Sequence, residues 1–139
     1  MVVEIEMGHL ATINHQRAIK KLVFGLEKLY QSGVIPYEPL PETDIDPGNP
    51  ESKCPDLILQ DNDNMTVPII IEVSTRRGCK TDYAKLRRLM DETEFGIVEG
   101  FVLNFETGEW LKYFKGITEA QKLSSWSNTL NLDLSLLIV

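Results

Sequence analysis

Cysteine is scarce in this chain: its 139 residues include two, Cys54 and Cys79. Two thiols cannot build a disulfide framework, and with no second pair they make no zinc site, so both read as small buried or half-buried thiols. Long apolar runs are also missing. No stretch reaches bilayer-spanning length, and the N-terminus has no basic segment leading into an apolar one. The expectation is a soluble, cytoplasmic protein with no membrane partner. Internal repeats and low-complexity segments are absent. Base is in deficit as well, with 14 Lys and Arg against 21 Asp and Glu for a net charge of −7. A general nucleic-acid coat protein would be basic overall, so that class is set aside.

What is present is ordinary globular composition, 42% hydrophobic and 25% charged. The length predicts a single domain over 1–139 with a normal core. Charge is segregated along the chain. Residues 38–63 hold eight acids against one base, Lys53, and residues 76–88 hold six bases against one acid, Asp82. That layout suits an acidic site beside a polyanion track, and it equally suits an acidic loop next to a solvated helix face.

Apolar spacing predicts a first helix capped by Thr12 or Asn14 and running to about Gln31, with Ile19, Leu22, Val23, Leu26, Leu29 and Tyr30 facing the core and Gly33 stopping it. His15 lies one turn before Ile19 on that face and reads as a satisfied histidine at the core or site edge. Residues 34–46 carry three prolines and fit an edge strand, and 46–50 is turn chemistry. Two strands follow, 56–60 and 67–74, joined by Asp61-Asn62-Asp63-Asn64. Thr81 is placed as the cap of a second helix over 82–95. Two more strands, about 97–105 and 109–115, flank Glu106-Thr107-Gly108. The tail is open between a helical turn at 119–126, a strand through the alternating leucines 130–136, and a segment against a second subunit. The order predicts a mixed α/β sheet with flanking helices.

Two carboxylates stand at the ends of the first hairpin, Asp56 before Leu57-Ile58-Leu59 and Glu72 after Ile69-Ile70-Ile71. If the loop centres on Asn64, Asp56 faces Glu72, with Cβ atoms about 4.5–5.5 Å apart on one side of the sheet. Like charges so placed destabilise the sheet unless a cation lies between them, and Mg²⁺ suits one or two carboxylates plus water and phosphate oxygens. A slip of one residue would send the two groups to opposite faces. Ser74 shares the face of Glu72. Glu27, Glu42 and Asp44 are further acids available to a second ion, with nothing to choose between them. Trp110 and Trp126 read as core or interface residues.

Pro55-Asp56, a hairpin, and Glu72-Val73-Ser74 resemble the Pro-Asp and Glu-x-Lys signature of the PD-(D/E)XK nuclease superfamily, with serine in the lysine position. Glu72-Val73-Ser74-Thr75 followed by Asp82 and Lys85, with His15 upstream, Gly96-Ile97-Val98-Glu99-Gly100-Phe101-Val102-Leu103 downstream and a leucine-rich tail, is similar to the Uma-type branch of restriction-endonuclease-like proteins. The resemblance implies a restriction-endonuclease-like fold and Mg²⁺- or Mn²⁺-dependent hydrolysis of phosphodiester bonds in DNA. It implies that Asp56, Glu72 and the main-chain carbonyl of Val73 hold the ion and that Lys85 supplies the missing ammonium, Lys80 being the second candidate for it. Arg76, Arg77, Lys80 and Arg87 are candidate phosphate contacts. The alternative is a degenerate nuclease fold that binds a nucleic acid or a protein without catalysis, and a structural dimerising domain is a third reading. A homodimer is expected under all three.

Overall fold

The computed structural model describes residues 2–48, 54–116 and 122–139, with side chains from residue 12 onward except that of Lys122. Helix α1 spans Val2–Gln31 and α2 spans Cys79–Glu92; the strands are β1 Glu38–Pro41, β2 Leu57–Asp61, β3 Thr66–Ser74, β4 Glu99–Asn104, β5 Trp110–Phe114, β6 Lys122–Leu123, β7 Trp126–Ser127 and β8 Leu132–Asp133. Strands β1 to β6 form one sheet in chain order, and only the β3–β4 pair, bridged by α2, is parallel. No described helix is long and apolar enough to cross a membrane.

Strand β3 is buried on both faces, which explains its continuous apolar run. Ile69, Ile71 and Val73 pack with Ala18, Leu22 and Leu26 of α1, whereas Ile70 joins Ile58, Val102, Leu86 and Met90 on the α2 side. The carboxylate pair therefore lies at the end of a ladder whose β3 strand is almost wholly buried.

The first helix starts well before the expected cap. Between residues 2 and 32 there is no proline, and Gly8 and Gly25 alone weaken the helix, so nothing at Thr12 or Asn14 compels a start there. Its end is as read: Gly33, at φ 80°, donates to the Tyr30 carbonyl at 3.1 Å and Val34 donates to that of Leu29 at 2.9 Å, a Schellman closure. Helix α2 also begins earlier than expected, at Cys79, with Gly78 as its N-cap and no side-chain cap among the described residues. The turn before it is closed by Thr75, whose hydroxyl accepts from the Gly78 N–H at 3.1 Å and whose carbonyl accepts from the Cys79 N–H at 3.1 Å, so Thr81 sits inside the helix and caps nothing. The prolines at 39 and 41 lie on edge strand β1. The turn read over 46–50 reaches into residues outside those described.

The tail is a strand only in part. The alternation 130–136 yields one short pairing, β7 with β8, and then a 3-10 turn over Leu134–Leu137. Asp133 causes the change of course, because its carboxylate accepts from the Ser135 N–H at 3.0 Å and from the Ser125 hydroxyl at 2.6 Å. The expected helical turn at 119–126 falls partly outside the described residues, and its described part is β6, a two-residue link and the start of β7, with no helix. Gly25 lets the tail close on α1, since a Cβ there would come within 2.9 Å of Leu137 Cδ2.

A buried ion pair anchors this tail to the sheet. Glu99 on β4 and Lys112 on β5 sit diagonally across the ladder, 3.0 Å apart, with Glu99 fully buried. The carboxylate also accepts from the Ser127 hydroxyl at 2.7 Å, the Asn128 N–H at 2.8 Å and the Thr129 N–H at 3.0 Å. The ammonium donates to the Trp126 carbonyl at 2.7 Å. Burial pushes the Glu99 carboxyl up, but the bonds from Thr129, Ser127 and Lys112 outweigh it and hold the group below the ordinary carboxylate range.

Candidate metal centre

Away from its turn, the β2–β3 hairpin pairs Leu57 with Ile71, Ile58 with Ile70 and Leu59 with Ile69. Extending that register by one residue sets Asp56 against Glu72. The premise that the loop centres on Asn64 is not how this comes about. Asp61 pairs with Thr66, one step out of phase, and a bulge restores the phase before Leu59. Val67 and Pro68 together oppose Gln60 there, and a proline with no N–H to give is at home in a bulge.

The two carboxylates hold each other through the backbone. The Asp56 N–H donates to Glu72 Oε1 at 3.2 Å, and the Val73 N–H donates to Asp56 Oδ2 at 2.8 Å. His15 Nε2 stands 3.4 Å from the same Oδ2, and its ring meets Phe105 edge-on. Asp56 Oδ1 and Glu72 Oε2 take no hydrogen bond from the described residues. No buried side-chain oxygen among those residues lacks a partner, so both of these oxygens face solvent. Val73 points its N–H toward β2, and in a strand its carbonyl points the same way. The residue facing it across the extended register is Pro55, which has no N–H to offer. Two outward carboxylate oxygens and a carbonyl denied its ladder partner make a fitting oxygen set for a hard divalent cation. Among the described residues no three His, Cys, Asp or Glu side chains cluster at metal-ligand spacing.

Electrostatics at the pair are those of two acids crowded together. Burial, then the neighbouring Asp56 charge, pushes the Glu72 carboxyl up to about 8, with the Asp56 N–H and the Lys85 charge pulling the other way. Asp56 is also raised, by burial first, against the Val73 N–H and His15. A carboxyl whose folded value lies above its unfolded one stabilises the fold fully below the unfolded value, about 4.5, and that contribution is lost as pH rises through about 8. In chelator, denaturant unfolding is expected to show stability falling by a few kcal/mol between about pH 5 and pH 8. Glu72→Gln should flatten that slope; an equal slope in the variant would place the effect elsewhere.

Beside Glu72 lies a cavity of about 150 Å³ lined by Cys54, Pro55, Glu72, Asp82 and Lys85. Lys85 is exposed on α2, one turn beyond Asp82, and lines this cavity with Glu72. Lys80 is exposed and does not line it. The Ser74 hydroxyl donates to Asp82 Oδ2, so the serine in the usual lysine position is tied to the helix that carries Lys85. Asp82 is thus a group of the site itself, where its sequence position suggests only a helix opener and a salt-bridge partner. Cys79 is buried as expected, but Cys54 is exposed at the cavity rim.

The other candidates scatter. Glu42 accepts from Gln16, and its N–H donates to the Asp56 carbonyl at 3.0 Å; its charge and that of Asp44 are felt at Cys54. Glu27 accepts from Gln31 and lines an apolar groove on α1 instead. Arg76 and Arg77 are exposed on the loop after β3, while the Arg87 guanidinium stacks over Tyr113 at 4.7 Å. Trp110 is core, but Trp126 is 42% exposed and leaves the core of this chain.

No family model matches this sequence, and no curated protein does. Among solved structures, the chain is similar to a "putative nuclease belonging to DUF820" from Anabaena variabilis, at 11% identity and a TM-score of 0.64, over 90% of this chain and 80% of that one. The fold is thus a nuclease-like mixed α/β sheet with flanking helices.

Proposed function

We propose that this protein is a metal-dependent endonuclease acting on DNA, with Asp56, Glu72 and the main-chain carbonyl of Val73 as the ligands of a Mg²⁺ or Mn²⁺ ion. The observation that carries this reading is the in-phase pairing of two carboxylates, each with one oxygen held in the protein and one facing out. The fold similarity to the "putative nuclease" of Anabaena variabilis supports it. When bound, such an ion supplies a water of lowered pKa and neutralises charge on the scissile phosphate.

The chain's own residues then have distinct tasks. His15 and the Val73 N–H orient Asp56, and the Asp56 N–H orients Glu72. Lys85 brings an ammonium to the cavity beside Glu72, where it can stabilise charge developing on the phosphate. Ser74 and Asp82 fix the start of α2 against β3 and so set where Lys85 stands. Arg76, Arg77 and Lys80 offer exposed cations for the flanking backbone, and Arg87 adds one over Tyr113.

Incubation with supercoiled plasmid and Mn²⁺ tests the proposal: nicking is expected, and calorimetric Mn²⁺ binding with no nicking would favour the non-catalytic alternative. Lys85→Ala is expected to slow cleavage by roughly 10²-fold while Mn²⁺ still binds. Unchanged cleavage in that variant would return Lys85 to the solvated surface.

A further inference from the structure

A second and larger cavity, of about 620 Å³, lies between α1 and the β4–β5 turn. Its size is in the range that takes a small organic ligand. Phe105 and Ile138, both half-buried, give it an accessible apolar lining, and the exposed Arg17 and Lys21 line it from α1. These two cations are four residues apart, hence on one face of α1, and neither makes an ion pair among the described residues. The Arg17 guanidinium is steadied by a 3.2 Å bond to Asn14 Oδ1. Glu106 is the one acid in the lining, and its carboxylate accepts from the Arg76 N–H at 2.9 Å.

Two contacts join this cavity to the carboxylate pair. Phe105 meets the His15 ring with centroids 5.9 Å apart, and His15 Nε2 stands 3.4 Å from Asp56 Oδ2. A side chain lining the cavity is thus one residue removed from the candidate metal centre.

We propose that this cavity holds one nucleotide of a single nucleic-acid strand, its base against Phe105 and Ile138 and its phosphate toward Arg17 and Lys21. The assignment rests on the nuclease reading only in placing an adjoining phosphate of the same strand at Asp56 and Glu72. A base stacked inside a duplex cannot enter a cleft between helix and sheet without leaving the stack. Apolar and aromatic contact with a base plus cations along the backbone is how single strands are bound without sequence preference. The substrate class is therefore single-stranded or frayed.

Fluorescence anisotropy with short labelled single strands, in matched deoxyribo and ribo versions and with Ca²⁺ in place of Mn²⁺, tests this without cleavage. Arg17→Gln combined with Lys21→Gln is expected to weaken binding of at least one sugar type by roughly tenfold, with an unchanged melting temperature. A blunt duplex should bind more weakly than the strand. Displacement of the strand by AMP should need less competitor than displacement by inorganic phosphate. Wild-type affinity in the double variant would overturn the assignment, and so would equal competition by phosphate and AMP. If the double variant fails to fold, the competition in the wild-type protein decides alone. Should plasmid nicking occur while the double variant binds normally, the nuclease reading stands and this subsite falls. Binding lost in the variant, with no nicking by the wild-type protein, would keep the subsite and remove the nuclease reading.

Discussion

Glu72→Ala is expected to lower Mn²⁺-dependent DNA cleavage by about 10³-fold or more, because a bound metal supplies several kcal/mol of transition-state charge stabilisation. Loss of activity alone would be ambiguous in a variant that unfolds. Glu72 removes that ambiguity, since its carboxyl is raised to about 8 and its ionised form is an electrostatic burden on the metal-free fold. Glu72→Gln keeps the shape and removes the charge, so at pH 8 it should be at least as stable as the wild-type protein in chelator and yet inactive in Mn²⁺. Stability raised and cleavage abolished by one substitution is a pattern that general damage does not produce. Residual cleavage equal to that of the wild-type protein would mean a contaminating nuclease.

Glu99→Ala is expected to have the largest effect on stability, a loss of about 3–5 kcal/mol. The ammonium of Lys112, 7% exposed, would keep the Trp126 carbonyl and the Asn128 side chain as hydrogen-bond partners, beside the Phe101 and Phe114 rings, but no countercharge among the described residues. The N–H groups of Asn128 and Thr129 would lose their acceptor in the same step. Urea unfolding measures the loss, and Lys112→Met in the Glu99→Ala background should recover part of it by removing the stranded charge. A cost below about 1 kcal/mol, the range of an exposed pair, would show that the network is solvated. The pH sign is opposite to that of Glu72. A depressed carboxyl contributes stability that is present above its unfolded value and lost as pH falls through its folded one, so Glu99 adds to acid unfolding while Glu72 weakens the metal-free fold toward pH 8.

The sheet is legible in the sequence because its information is local. Short apolar runs bounded by turn residues locate β2 to β5 within a residue or two, and the α1 stripe with Gly33 locates the helix end. Boundaries set by longer-range partners are not legible in this way. Helix α2 starts at Cys79, ahead of Thr81, where the turn that Thr75 closes after β3 delivers the chain, a fact of tertiary position. The leucine alternation at 130–136 stops being a strand where Asp133 turns the chain. At the site, Asp56 and Glu72 are readable as a spacing and Lys85 through the resemblance; Glu72 and Lys85 line one cavity, and the Asp56 N–H donates to Glu72. Asp82 and the Glu99–Lys112 pair are not. An acid opening a helix and a lysine in a strand are ordinary until the fold shows what they touch. A carboxylate between Ile97-Val98 and Gly100-Phe101, with a lysine inside a strand five residues long, is the signal that could have found the buried pair.

The bulge at Val67-Pro68 settles a question of counting. At the turn the paired positions sum to 127, from Asp61 with Thr66, and beyond the bulge they sum to 128, from Leu59 with Ile69. If the turn's arithmetic ran on unchanged, Asp56 would meet Ile71 and Glu72 would meet Pro55. The extra residue in β3 therefore works as a half-step in the pleat, converting an out-of-phase hairpin into one whose two acids share a face. The meeting of two acids at the open end of the ladder is set by a bulge at the other.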